Sequence, residues 1–381
     1  MTAPPPVTAR LADGVTAISP AHWDACAGAA NPFLCHAFLS ILEESASVSP
    51  RAGWQAVPII VDGADGVPIA IAPAYAKRHS QGEYVFDHAW ADAWARAGGS
   101  YYPKLQVAVP FTPVPGPRLL LRNGAAAPAL IAAVEAVVDR HAMSSAHATF
   151  VAPDQVPLFE AAGWLIRAGT QFHWANDGYT CFDDFLDALA SRKRKAIRKE
   201  RAAAVEGLTV RHVTGSDLTE RDWDAFWTFY QDTGSRKWGQ PYLTRPFFSL
   251  LGARMGERVL LMLAERGGRP IAGALNLIGA DTLYGRYWGC TEDVPFLHFE
   301  LCYYQAIEAA IARGLKFVEA GAQGEHKLAR GYAPVTTWSA HYLPDPNFRR
   351  AVADFLVRER AAVASDQAYL GAMTPFKRAM D

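Results

Sequence analysis

The chain has 381 residues, enough for two domains of ordinary size that each bury a core. Half of the residues are hydrophobic and 20% are charged, with 37 Lys and Arg against 38 Asp and Glu, which excludes a disordered chain and a globally basic nucleic-acid binder. Cys26, Cys35, Cys181, Cys290 and Cys302 form no CxxC pair, no apolar run reaches the roughly 20 residues of a membrane span, and Met1 to Arg10 is Pro-rich and polar, so the expectation is a reducing, cytoplasmic protein without a membrane span or disulfide framework.

In chain order, the apolar and aromatic pattern of Pro32 to Leu42 predicts a helix. Val57 to Val61 and Pro68 to Ala72 flank a polar turn and predict a β-hairpin. Between Tyr84 and Ala148 lies a stretch whose Tyr101 to Arg118 part is too rich in proline and aromatics for a helix and suits extended edges and loops. It reads either as a functional connection or as a cover over a sheet edge. Ala148 to Val151 and Phe172 to Trp174 predict short strands. Cys181 to Ala190 opens an amphipathic helix that is expected to run to about Glu206, with Phe182, Phe185, Leu186 and Leu189 at helical spacing and Asp183, Asp184 and Asp187 in its first turns.

The same series then recurs. Pro241 to Leu251 matches Pro32 to Leu42; Leu260 to Ala264, Gly267-Gly268 and Pro270 to Ala274 repeat the hairpin; Lys316 to Gln323, Gly331-Tyr332 and Ala340 to Tyr342 repeat Ala148 to Gln155, Gly163-Trp164 and Phe172 to Trp174. Each half is therefore a helix, an antiparallel hairpin, a helix, a short strand, a helix and a closing strand. The spacing of the matches shrinks along the chain, so the first half carries roughly thirty residues that the second lacks. The expected fold class is α/β (α+β), mixed sheets flanked by helices, in two domains: 1–175, with an extra loop region at about 90–122, and 176–381, ending in a helix from about Pro346 to Arg360.

No GxxxxGK[ST], GxSxG, HExxH or strand-borne GxGxxG motif is present. Three clusters carry chemistry. Ser191 to Arg201 holds seven basic residues in eleven positions, a seat for phosphates or else a solvated helix face. Leu283 to Cys290, followed by Pro295 to Tyr304, puts Arg286 and Trp288 on one side of a strand and His298, Glu300 and Tyr303 at the opening of a helix. That junction offers backbone N–H groups to an anion, or is a core strand with one satisfied histidine. Val318 to Tyr332 carries Glu319, Glu325, His326, Lys327 and Arg330 where the first half has apolar residues, so chemistry is expected in the second half. The spacing of His298, Glu300, Glu325 and His326 fits no metal pattern, and no metal is expected.

The chain resembles the bacterial predicted N-acyltransferases with tandem GNAT-like domains, distant relatives of the Fem-type peptidoglycan aminoacyltransferases. The resemblance rests on Asn31-Pro-Phe, Phe38-Leu39, Gly53-Trp54, Tyr102 to Pro113, Gly116-Pro-Arg118, Arg236 to Leu243, Gly285-Arg-Tyr-Trp-Gly289 and Glu319 to Tyr332. It implies two tandem GNAT-like domains and acyl or aminoacyl transfer to an amine. The donor it implies is acyl-CoA or aminoacyl-tRNA, used as a co-substrate with no tightly bound cofactor. Two departures stand out: there is no Q/RxxGxG/A pyrophosphate loop and no coiled-coil arm.

On this reading Glu319 is the base, with Glu325 or His326 as the alternative. Arg286, Trp288, His298, Tyr102, Lys104, Gln106, Lys327 and Arg330 bind the acceptor, a small-molecule or peptide amine or a cell-wall precursor. Arg192, Lys193, Lys195 and Arg198 hold donor phosphates, those of coenzyme A or of tRNA; DNA is not expected as a partner. The competing reading is a non-catalytic protein that recognises a peptidoglycan precursor or glycan on a degenerate tandem scaffold.

Overall fold

A computed structural model describes residues 8–237, 241–321 and 324–377. Two units make up the chain: residues up to 169 with 336–364, and residues 170–335 with those from 365 onward.

The first unit is shaped by two prolines. Its elements are β1 (Thr8–Leu11), α1 (Pro20–Ala27), α2 (His36–Glu44), β2 (Trp54–Ala56), β3 (Ile59–Asp62), β4 (Pro68–Ala72), β5 (Ala74–Lys77), α3 (His88–Arg96), β6 (Lys104–Val107), β7 (Leu120–Leu121), α4 (Ala127–Arg140), β8 (Ala146–Val151) and α5 (Val156–Ala161). The expected hairpin is present as β3 against β4, and it extends back to Trp54 opposite Lys77. Pro58 and Pro73 interrupt its arms. Proline offers no N–H to a ladder, so the hairpin changes partners there. Its tip lies in a four-stranded sheet, β1-β3-β4-β7, while β2 and β5 run on into the order β2-β5-β6-β8. Leu130, Val134 and Val138 of α4 pack on Val61, Ala70, Ala72, Leu105 and Val107.

The proline-rich stretch is not an edge or a cover. β6 lies inside the sheet, antiparallel to β5 and parallel to β8. The extra residues before β6 include the helix α3, which corrects the expectation of a plain loop at 90–122. After the Val107↔Ala148 pair the chain leaves β6 and returns beside β8, where the Gly116 N–H donates to Phe150 O at 3.0 Å and the Ala152 N–H donates to Gly116 O at 2.8 Å. A Cβ on Gly116 would stand 2.8 Å from Asn31 Nδ2, so a larger residue would have to displace the Asn31 amide that donates to Pro115 O. Beneath this return the Arg118 side chain is fully buried, and its guanidinium donates to the carbonyls of Thr149 (2.6 Å), Val114 (2.5 Å), Gly116 (3.2 Å) and Pro117 (3.2 Å).

The second unit takes in the end of β9 (Leu165–Ala175), α6 (Phe182–Ala188), α7 (Ser191–Ala204), β10 (Thr209–Val213), α8 (Glu220–Lys237), α9 (Arg245–Met255), β11 (Val259–Arg266), β12 (Arg269–Ile278), β13 (Thr282–Cys290), α10 (Leu297–Phe299), α11 (Gln305–Ala312) and β14 (Phe317–Glu319). A π turn, Glu300–Tyr304, joins α10 to α11. The sheet runs β10-β11-β12-β13-β14-β9, with β13 parallel to β14 and the other pairs antiparallel. Gly289 lets α8 cross β13 closely: a Cβ there would meet Phe229 O at 2.1 Å.

The two closing strands explain why neither unit is continuous in sequence. His173 to Ala175 of β9 pair with β14, and Trp338 to Tyr342 of β15 (Ala333–Tyr342) pair with β8. A single boundary near residue 175 therefore does not describe the two units. The helix expected from Cys181 to Glu206 is broken in two. Leu189 and Ala190 are extended, with ψ of 151° and 139°, because Leu189 pairs with Phe376 and the Ala190 N–H donates to Pro375 O at 3.0 Å. The final helix, α12 (Pro346–Ala372), runs past the expected end at Arg360.

Replacing Arg118 with leucine strips buried carbonyls of their donors and should cost about 3 kcal/mol or more, read by urea unfolding. A change below about 1 kcal/mol would show that Arg118 does not hold this segment.

Candidate active site

β13 and β14 pair through Tyr284↔Glu319 and then part, since β14 ends there and β13 continues to Cys290. Crevices at the carboxyl ends of diverging parallel strands are where α/β sheets bind ligands. The side chain of Arg286, just past the parting, is 2% exposed, and its Nη2 donates to Glu319 Oε2 at 2.9 Å. Its Nη1 donates to the carbonyls of Gly285 (2.9 Å) and Glu319 (3.4 Å), which pins the guanidinium across the gap. Burial pushes the Glu319 carboxyl above the usual range, with the Arg286 charge pulling the other way.

The other Glu319 oxygen, Oε1, stands 4.0 Å from His173 Nε2 across the β14 to β9 ladder. His173 Nε2 also lies 3.0 Å from Gln171 Oε1. Burial, helped by the charges of Arg286 and Lys327, holds His173 down to about 3, so the ring is neutral at physiological pH.

Lys327 is buried in the tight turn Glu325–Arg330, and its Nζ donates to Gly321 O at 2.7 Å. Burial and then the Arg286 charge lower its ammonium to about 7. His326 next to it is exposed, with Nε2 2.8 Å from the Tyr303 hydroxyl and its ring among Phe299, Tyr303 and His298. Trp288 meets His298 with ring centroids 5.3 Å apart, so Trp288, His298 and His326 share one aromatic group. Arg330 lies over the Phe299 ring at 3.5 Å and donates to His326 O (2.8 Å) and Glu200 Oε2 (2.9 Å). Tyr304 donates its hydroxyl to the same Glu200 oxygen. Glu200 thus ties α7 to the turn that carries Lys327. The Glu325 side chain falls outside the described residues, as do residues 238–240 of the Arg236 to Leu243 segment.

On α7, Arg192, Lys193 and Lys195 are exposed and have no ion pair among the described residues, whereas Arg198 pairs with Asp183 at 3.0 Å. Arg201 pairs with Glu300 (2.9 Å) and Glu308 (2.7 Å); Glu300 also accepts from Gln305 at 2.7 Å.

Tyr102, Lys104 and Gln106 belong to the first unit. Lys104 is fully buried and gives its three N–H groups to Ser80 Oγ (2.8 Å), Glu83 Oε2 (2.7 Å) and the Asp87 carboxylate. The Tyr102 hydroxyl lies 2.9 Å from Ser80 Oγ, and Gln106 Nε2 donates to Thr149 Oγ1 at 2.9 Å. These bonds anchor the segment between β5 and α3 and leave Lys104 no N–H for a ligand. Sequence reasoning missed His173 and Glu200. The signal for His173 was a polar residue between Phe172 and Trp174 in a closing strand; Glu200 was hidden among cations.

Two tandem α/β units, with polar groups gathered where parallel strands part in the second, define a tandem GNAT-like fold. The chain belongs to the FemAB-like family, described as peptidoglycan biosynthesis/recognition, whose model matches residues 14–378. Among solved structures it is similar to FemX, at 12% identity and a TM-score of 0.55 over 88% of this chain and 98% of that one. A conserved protein of unknown function from Bacteroides thetaiotaomicron matches at 10% identity and a TM-score of 0.52, covering 88% and 100% of the two chains. A tandem GNAT protein from the clavulanic acid biosynthesis pathway matches at 13% identity and a TM-score of 0.46 over 90% and 99%. No curated protein matches by sequence. Among the described residues no helix is long and apolar enough to cross a membrane.

A neutral buried histidine costs stability in acid, because the unfolded chain takes up a proton below its ordinary 6.5 that the folded chain refuses until about 3. Between pH 6.5 and 5, His173→Gln should lose on the order of 1–2 kcal/mol less stability than the parent, by urea unfolding at each pH. Parallel pH profiles would show that His173 titrates normally.

Proposed function

We propose that the protein is an N-acyltransferase that moves an acyl or aminoacyl group from an activated ester or thioester to an amine at the parting of β13 and β14. The observation that carries this reading is the Arg286–Glu319 pair. One carboxylate oxygen is held by the guanidinium at 2.9 Å while the other has, among the described residues, only His173 at 4.0 Å, and the carboxyl sits in a buried site that raises its proton affinity. Membership of the FemAB-like family supports the aminoacyl form of the reaction.

Glu319 takes the proton of the acceptor ammonium through Oε1. The freed amine attacks the donor carbonyl carbon, a C–N bond forms, and the C–O or C–S bond to the donor breaks with its electron pair on the leaving atom. The nitrogen sheds its second proton as the amide forms, that proton reaches the leaving atom directly or through water, and the proton on Glu319 passes to solvent, which restores the carboxylate. Backbone N–H groups of β13 beyond its last pair with β14 are candidates for the oxyanion. Orientation in such a site supplies up to ~7–11 kcal/mol, so no covalent residue is required. Arg192, Lys193 and Lys195, exposed and unpaired among the described residues, suit donor phosphates. Trp288, His298 and His326 form an aromatic wall for substrate.

The test offers alanyl-tRNA and acetyl-CoA in turn as donors, with a UDP-linked muropeptide as acceptor and transfer read by mass spectrometry. Glu319→Gln should lower turnover by about 100-fold or more, with far-UV circular dichroism unchanged. Full turnover in that variant would remove Glu319 as the base. Thermal stabilisation by the muropeptide, with no transfer from either donor, would favour a recognition protein.

A further inference from the structure

We propose that Lys327 is the seat of a substrate carboxylate, so that the acceptor is an amino acid or peptide presenting a free carboxylate beside its reacting amine. This rests on the transferase reading above and adds a substrate class to it.

An ammonium has three donors, and when buried it needs partners for all of them. Lys77, Lys104 and Lys327 are the buried lysines among the described residues. Lys104 has two carboxylates and a hydroxyl, and Lys77 has the Gln81 carbonyl at 3.0 Å, Glu83 at 3.6 Å and the face of Trp54 at 3.4 Å. Lys327, 1% exposed, has a single hydrogen bond, to the Gly321 carbonyl, and no ion pair among the described residues. As an ammonium it would have two N–H groups without a partner among the described residues.

The charges around Lys327 are unbalanced in the same sense. Arg286 repels it and the Cys302 thiol acts the other way; the Glu319 carboxylate is taken by Arg286, and His173 is neutral. When Lys327 is protonated, two cations, Arg286 and Lys327, face the Glu319 carboxylate among the described residues, and one monoanion balances the second. A carboxylate suits the gap better than a phosphate dianion, since one excess charge is to be matched, and two acceptor oxygens meet two spare N–H groups. Once bound, the carboxylate would hold Lys327 protonated and place the neighbouring amine at the Arg286–Glu319 pair.

The probes are N-acetylglycine and its amide, titrated calorimetrically into the full chain at pH 8 in two buffers of different ionisation enthalpy. The acid should bind at least about tenfold tighter than the amide, and its binding should take up close to one proton, since free Lys327 is largely neutral at that pH. Lys327→Met should abolish the preference; Lys327→Arg should keep the preference without the proton uptake. Failure of the acid to bind, equal binding of the amide, or binding without proton uptake overturns the proposal. Because no transfer is read, loss of the transferase reading would show separately.

Discussion

The site depends on a parallel strand pair that ends early. β13 and β14 hold register for three residue pairs, up to Tyr284 and Glu319, and from there β13 goes on without its partner. A gap of that kind uncovers main-chain groups that a sheet would otherwise satisfy, and something must occupy it. Here it is Arg286, bridging to the Glu319 carboxylate and to two carbonyls. The ion pair fixes the carboxylate and leaves its second oxygen 4.0 Å from His173, and the Arg286 charge adds to burial in lowering His173 and Lys327.

The first unit meets the same constraint and answers it differently. β6 and β8 part after Val107 and Ala148, and the chain returns at Gly116 beside Val151 to close the opening. Arg118 then serves as a buried donor to main-chain carbonyls in place of a charged group facing a ligand. The duplicated topology thus yields one opening filled with the chain's own backbone and one lined with titratable side chains. The proposed proton transfer calls on the second, because a base needs an oxygen that is not already bonded.

Much of this was legible in the sequence. The tandem α/β repeat, both hairpins and the polar loading of the second copy follow from periodicity and from the residues at Glu319 to Arg330. Pro58 and Pro73 were visible, but their effect was not, because a proline marks where a ladder must fail without saying which strand takes over. Lys104 shows the limit most clearly. A lysine in an aromatic, proline-rich string reads equally well as a ligand group or as an anchor, and only the positions of Ser80, Glu83 and Asp87 decide for the anchor. His173 and Glu200 escaped for the same reason: their partners lie more than a hundred residues away in sequence.

By itself the sequence determined a fold used twice, the copy that kept its charges, and a basic helix between the copies. These are consequences of local pattern: hydrophobic period, turn residues, and the kinds of side chain present. The tertiary structure decided which strand closes which sheet, where α6 gives way to α7, and which of the polar residues face an opening and which are buried as anchors. Those choices depend on pairing between distant segments, as Leu189 does with Phe376 and His173 with Glu319, and such pairing leaves no local trace.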